Sequence, residues 1–102
     1  MTAERRKRRR RVFDHLRDKG YVMSCGAKFG ADFLAYAGDP QLFHADLAVV
    51  VVDGHEAIGA RDIVALGRLG DSTRKRTVLA WIDDSKKNLV HYVGVQWEET
   101  LP

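Results

Sequence analysis

An unbroken apolar run at residues 47–52, Leu-Ala-Val-Val-Val-Val, bounded by Asp46 and by Asp53-Gly54, most restricts what this chain can fold into. Valines in succession present β-branched side chains to both sides of an extended backbone, so the run reads as a central strand buried on both faces. A strand covered twice needs a layered structure around it. With only 102 residues, that structure is one domain with a thin core, for which burial against a partner chain would matter.

The other elements follow from periodicity and punctuation. Residues 3–19 read as a helix with Val12, Phe13 and Leu16 on its apolar side and Gly20 as the left-handed residue that closes it. Residues 21–23 form a short strand. Gly26 and Gly30 bracket Lys28-Phe29 in a turn, residues 32–36 extend again, and Gly38-Asp39-Pro40 ends that run. Over residues 60–69, Ile63, Leu66 and Leu69 recur near helical spacing opposite Arg61 and Arg68, and Gly70 stops this second amphipathic helix. Residues 77–82 and 89–96 are two strands joined by a polar hairpin loop. The expected class is α/β, a small mixed β-sheet flanked by helices.

Charge is divided unevenly. Residues 1–11 carry seven Lys/Arg against one Glu, while residues 12–102 carry ten basic against thirteen acidic residues, so the net +3 is the sum of +6 and −3. The expected organisation is therefore a basic tail or helix extension at 1–11 and a single domain at 12–102. The run Arg5-Arg6-Lys7-Arg8-Arg9-Arg10-Arg11 suits a phosphate-binding arm or a nuclear-import signal, and equally a solvated helix extension. Cys25 is the sole cysteine, which excludes an internal disulfide and, with no thiol or histidine pair beside it, a zinc site. No stretch approaches the roughly 20 apolar residues of a membrane span. The expected setting is soluble and intracellular.

Three residues offer chemistry: Tyr36 at a strand's end, His44 just before the apolar run, and Lys75 just before the strand at 77–82. A phenol can take the proton of a ribose 2′-hydroxyl, an imidazolium can protonate a departing 5′-oxygen, and an ammonium can balance charge on phosphorus oxygens. In-line attack by a 2′-hydroxyl carries its own nucleophile and requires no metal. The same residues also have plain structural readings: Tyr36 packing at a strand end, His44 half-buried beside Phe43, Lys75 solvated. His15, His55 and His91 lack a comparable set of neighbours in sequence.

The string from Gly26 to Ala45, Gly-Ala-Lys-Phe-Gly-Ala-Asp-Phe-Leu-Ala-Tyr-Ala-Gly-Asp-Pro-Gln-Leu-Phe-His-Ala, followed by Arg68-Leu69-Gly70 and Ser72-Thr73-Arg74-Lys75, resembles the signature of tRNA-splicing endonucleases, in particular the eukaryotic subunit that cuts the 3′ splice site. The resemblance runs from about Val12 to Trp97. It implies a tRNA-intron lyase: an RNA endonuclease acting on precursor tRNA without metal or other cofactor and leaving a 2′,3′-cyclic phosphate and a 5′-hydroxyl. Tyr36 would be the general base, His44 the general acid and Lys75 the transition-state stabiliser. Arg68 and Trp97 match the RNA-binding pair that sandwiches a bulged base in a partner subunit's site, and the strand at 89–96 matches the one through which subunits form homo- or hetero-oligomers. A nuclear location is expected, the basic run suiting an import signal. Larger family members carry a further N-terminal domain. The alternative within the family is a noncatalytic subunit that builds the complex or positions RNA; outside it, a basic nucleic-acid binder that rests on the arginine run alone.

Overall fold

The computed structural model describes residues 2–39, 47–53, 76–83, 85, 87 and 89–95. Helix α1 (Ala3–Asp18) starts at Thr2, whose side chain accepts a hydrogen bond from the Arg5 amide at 3.1 Å, capping one of the free N–H groups of the first turn. It stops at Lys19, and Gly20 turns the chain with φ +102°. The helix continues unbroken through the boundary expected between residues 11 and 12, so the basic run is part of the same element as Val12 and Leu16, which are buried.

Among the described residues five strands follow: β1 (Val22–Cys25), β2 (Phe33–Tyr36), β3 (Leu47–Val51), β4 (Arg76–Asp83) and β5 (Leu89–Val95). They lie side by side in chain order. β1/β2, β2/β3 and β4/β5 are antiparallel, whereas β3 and β4 are parallel, so the sheet is mixed as expected. The apolar run occupies the middle strand. The helix expected at residues 60–69 falls outside the described residues. Between β4 and β5, Asp83 organises the turn by accepting hydrogen bonds from the Ser85 amide (3.0 Å) and hydroxyl (2.6 Å).

Alternation along the strands divides the side chains between two faces. On one, Ala35, Val49, Val51, Ala80 and Val90 form a core with Val12 and Leu16 of α1, supported by Met23, Phe33, Leu47, Ile82 and Tyr92. On the other, Ala31, Leu34 and Ala48 form a second cluster against which Phe29, Tyr36 and Val50 pack. The middle strand thus supplies Val49 and Val51 to one core and Ala48 to the other, the double burial that its composition predicts.

Polar contacts set where α1 lies. Asp32, 11% exposed, accepts a hydrogen bond from Arg5 Nη2 at 3.0 Å through Oδ1, and the same oxygen forms an ion pair with Arg9, whose Nε is also 3.0 Å away. Its Oδ2 accepts from the Val51 amide at 2.7 Å. Arg5 also donates to the Val51 carbonyl at 2.9 Å. Arg8 reaches Asp53 at 3.8 Å. Arg5 and Arg9 stand one helical turn apart and so meet one carboxylate together. These arginines contact the sheet, which the reading of residues 1–11 as a basic tail or helix extension did not anticipate: a run of like charges carries no sign of which members meet an acid elsewhere in the chain.

The turn before β2 explains two glycines. A 3-10 turn at Ala27–Phe29 joins β1 to β2 and closes with Gly30 at φ +72°. Gly26 lies so close to β2 that a Cβ there would sit 2.9 Å from the Phe33 carbonyl carbon and 3.0 Å from the Ala31 Cβ. Glycine is required at 26 for space and favoured at 30 for backbone conformation.

At the other end of α1, His15 Nδ1 lies 2.6 Å from the Tyr92 hydroxyl and the two rings stack. Burial pushes the Tyr92 phenol up to about 12, and its hydroxyl shares a hydrogen bond with the imidazole whose donor is set by the ring's tautomer. The His15 pKa is lowered, first by burial and then by Lys19 and Arg11, with Asp18 opposing.

Two outcomes follow for stability. Asp32→Ala leaves the Val51 amide and two arginines without their shared acceptor, and urea unfolding is expected to show a loss of about 2–4 kcal/mol. Because His15 resists protonation in the folded state, the unfolded chain binds the extra proton, and stability falls as pH drops below about 6.5. His15→Phe, which keeps the stacking, is expected to flatten that part of the stability–pH profile.

Candidate active site

Of the five residues singled out in the sequence, Tyr36 is described; His44, Arg68, Lys75 and Trp97 lie outside the described residues. Tyr36 is the last residue of β2, paired with Val22 of β1 and half-buried. Its ring packs with the Leu34 and Ala48 cluster, on the face of the sheet opposite α1. A strand end suits a reacting group because the ladder fixes the Cα while the side chain projects past the last backbone pairing.

Register determines which strand ends accompany it. Ala35 pairs with Leu47, Leu47 pairs with Arg76, and Thr77 pairs with Val95. The C-terminus of β2, the N-termini of β3 and β4, and the C-terminus of β5 therefore all lie at one end of the sheet. The chain enters β3 three residues after His44, enters β4 one residue after Lys75, and leaves β5 two residues before Trp97. Neighbouring strands are about 4.8 Å apart, so the ends of β2 and β4 are separated by about 10 Å across β3. That is the reach of facing side chains.

The parallel β3/β4 pair is what makes this arrangement possible. Had those strands been antiparallel, as in a simple meander, Arg76 would fall at the far end of the sheet from Tyr36. Chain order alone does not disclose this, although the buried, valine-rich character of β3 is the composition that parallel pairing favours.

Among the described residues, no group of three or more His, Cys, Asp or Glu is placed to hold a metal ion. Cys25 is exposed at the end of β1. His15 is engaged with Tyr92 on the α1 side, and His91 stacks on Trp81 and lies 3.6 Å from Asp83. Both histidines thus have structural partners. Among the described residues, no helix is long and apolar enough to cross a membrane.

Comparison with known proteins gives this geometry a family. Proteins named tRNA-splicing endonuclease from Saccharolobus islandicus (strain L.S.2.15 / Lassen #1), Saccharolobus solfataricus and Sulfurisphaera tokodaii are 42%, 39% and 36% identical to the chain. The alignments cover 85%, 85% and 84% of it and 47% of each relative, so the chain spans about half the length of the curated relatives it matches. All three come from archaea, cells without a nucleus, so the nuclear expectation finds no support in them. The model of the tRNA intron endonuclease catalytic C-terminal domain matches residues 7–93, a span that contains Tyr36, His44, Arg68 and Lys75 and ends before Trp97. Matched over most of its length by that domain and sharing its α/β sheet, the chain belongs to the tRNA intron endonuclease catalytic-domain family.

Proposed function

We propose that the chain is the catalytic part of a metal-independent endoribonuclease that cuts precursor tRNA at an intron splice site, the 3′ site by its resemblance, leaving a 2′,3′-cyclic phosphate and a 5′-hydroxyl. The observation that carries this reading is the common end of the sheet: Tyr36 ends β2 where β3 begins just after His44 and β4 just after Lys75. Family membership adds support, because the matched span includes all three residues.

In this reading Tyr36, as general base, accepts the proton of the ribose 2′-hydroxyl as that oxygen bonds to phosphorus. The P–O5′ bond breaks on the opposite side, and the His44 imidazolium gives its proton to the leaving oxygen. The Lys75 ammonium offsets charge on the non-bridging oxygens of the phosphorane. Bond formation and cleavage balance with no redox step, and no water enters the reaction, so the product is cyclic.

Arg68 and Trp97 would stack on an unpaired base in a partner subunit's site, since guanidinium and indole planes grip a base face without reading its sequence. The partner would dock along β5. This strand pairs with β4 alone among the described strands, and Leu89 and Val93 are 48% and 46% exposed. Oligomerisation through that edge would cover apolar area and satisfy the strand's outward backbone groups. The noncatalytic alternative assigns the chain a structural or RNA-positioning role in such a complex. It leaves Tyr36, His44 and Lys75 of the motif without a task.

The test is cleavage of an intron-containing precursor tRNA in EDTA, with the cut mapped and its ends identified. His44→Ala is expected to lower the single-turnover rate about 10²–10⁴-fold while assembly persists, whereas equal cutting by variant and parent assigns the chemistry to another subunit. Tyr36→Phe keeps the ring against Leu34 and Ala48 and is expected to alter stability by less than about 1 kcal/mol while abolishing proton acceptance. Its loss of cleavage with an unchanged unfolding midpoint separates a chemical role from a packing one.

A further inference from the structure

Helix α1 contains eight Lys/Arg against three Asp/Glu. Three of the basic side chains are drawn to the sheet: Arg5 and Arg9 by Asp32, and Arg8 by Asp53. Arg6, Arg10 and Arg17 are exposed instead, and with Phe13 they recur at steps of four, three and four residues. At 100° per residue these four positions fall within about 60° of one another, making a single stripe about 16 Å long on one flank of the helix.

That flank is shaped as well as charged. Arg6, Arg9, Arg10, Phe13 and Phe33 line an open groove of about 420 Å³ between α1 and β2. Phe13 meets Phe33 edge-to-face at 5.5 Å, and the Arg10 and Arg17 guanidinium carbons stand 5.6 and 5.9 Å from the Phe13 ring centre. Arg10 also pairs with Asp14 at 3.3 Å, an exposed contact that leaves other N–H donors directed to solvent. The aromatic ring thus holds two guanidinium groups over one surface, reducing the conformational freedom they would lose on meeting a ligand.

We propose that the Arg6–Arg10–Phe13–Arg17 stripe is a second RNA-binding surface, gripping ribose-phosphate backbone away from the cut. The inference rests on the reading that the substrate is RNA and adds a contact that the cleavage site does not supply. Arginine rather than lysine dominates the stripe, which suits forked donation to phosphate oxygens. Its groove lies on the α1 side of the sheet beside Phe33, the opposite end of β2 from Tyr36, whose ring packs on the other face. A side chain on the stripe therefore acts on affinity and register and not on the reacting phosphate. RNA running past the helix would be held by charge and shape, with no base identity read.

The experiment measures binding of a precursor tRNA carrying a 2′-deoxy nucleotide at the cut, which blocks cleavage, as a function of salt. The full chain is compared with Arg6→Gln/Arg10→Gln/Arg17→Gln and with a control, Lys7→Gln/Lys19→Gln, whose two exposed lysines lie off the stripe. Removing one arginine–phosphate pairing lowers the slope of log K against log salt by about one, so the slope is expected to fall by about two to three in the triple variant and hardly at all in the control. Each single Arg→Gln variant, with an expected fall of about one, carries the test should the triple variant unfold. With cleavable RNA at saturation, the single-turnover rate is expected to be unchanged. An equal fall in slope per charge in stripe and control, or an unaltered slope in all variants, overturns the proposal. So does a fall in the saturated rate with binding intact, or stripe-dependent self-association of the chain without RNA, which would assign the surface to protein contact. If the parent binds but never cuts, the cleavage reading fails while the salt slopes still decide the stripe.

Discussion

Asp32 joins three parts of the molecule through one carboxylate. It pairs with Arg5 and Arg9 on α1 and accepts a hydrogen bond from the Val51 amide at the end of β3, while its own amide donates to the Val49 carbonyl at 2.9 Å. The residue stands between a turn that depends on Gly26 and the strand that ends in Tyr36. Helix, central strand and candidate general base are consequently held to one reference point. A mostly buried carboxylate with two arginines and a backbone amide satisfies its acceptor capacity, whereas any one of these partners alone would leave a poorly compensated charge near the core.

The sheet separates the face that packs on α1 from the face that carries Tyr36. Its α1 face carries Val12, Leu16, Ala35, Val49, Val51 and Ala80, an almost wholly apolar contact reinforced at one end by Asp32 and at the other by the His15–Tyr92 pair. Its opposite face carries Leu34, Ala48 and Tyr36. Since alternate residues of a strand serve opposite faces, Ala35 anchors the backbone on one side while Tyr36 presents its phenol on the other. The backbone that carries Tyr36 is thereby held by residues on the face away from its ring.

The arginine run combines two roles that overall charge does not distinguish. Arg5 and Arg9 lie on the side of α1 that meets Asp32, while Arg6, Arg10 and Arg17 lie on the flank beside Phe13 and Phe33. A stretch that resembles a featureless basic tail is sorted by helical periodicity into members that hold the helix on the sheet and members that face solvent. Charge content alone predicted affinity for polyanions; it did not predict a structural contribution.

Local sequence determined the elements. Residues 47–52 announced a doubly buried strand, Gly20 marked a left-handed helix end, Gly26 and Gly30 bracketed a turn, and Val12 with Leu16 marked the buried side of α1, because periodicity and turn chemistry are properties of neighbouring residues. Strand ends fell within a residue or two of expectation, and the turn at Ala27–Phe29 proved to be 3-10 in form. The helix expected at 60–69, and His44, Arg68, Lys75 and Trp97 of the candidate site, lie outside the described residues, so for that site the sequence motif carries the residues and the sheet carries only Tyr36 and the flanking strand ends. Tertiary structure alone decided the parallel β3/β4 register that gathers those ends, the placement of Tyr36 on the face away from α1, and the capture of Arg5 and Arg9 by Asp32. Each depends on residues far apart in the chain, and pairing over such distances is determined by which faces are buried together, information that no local window of the sequence contains.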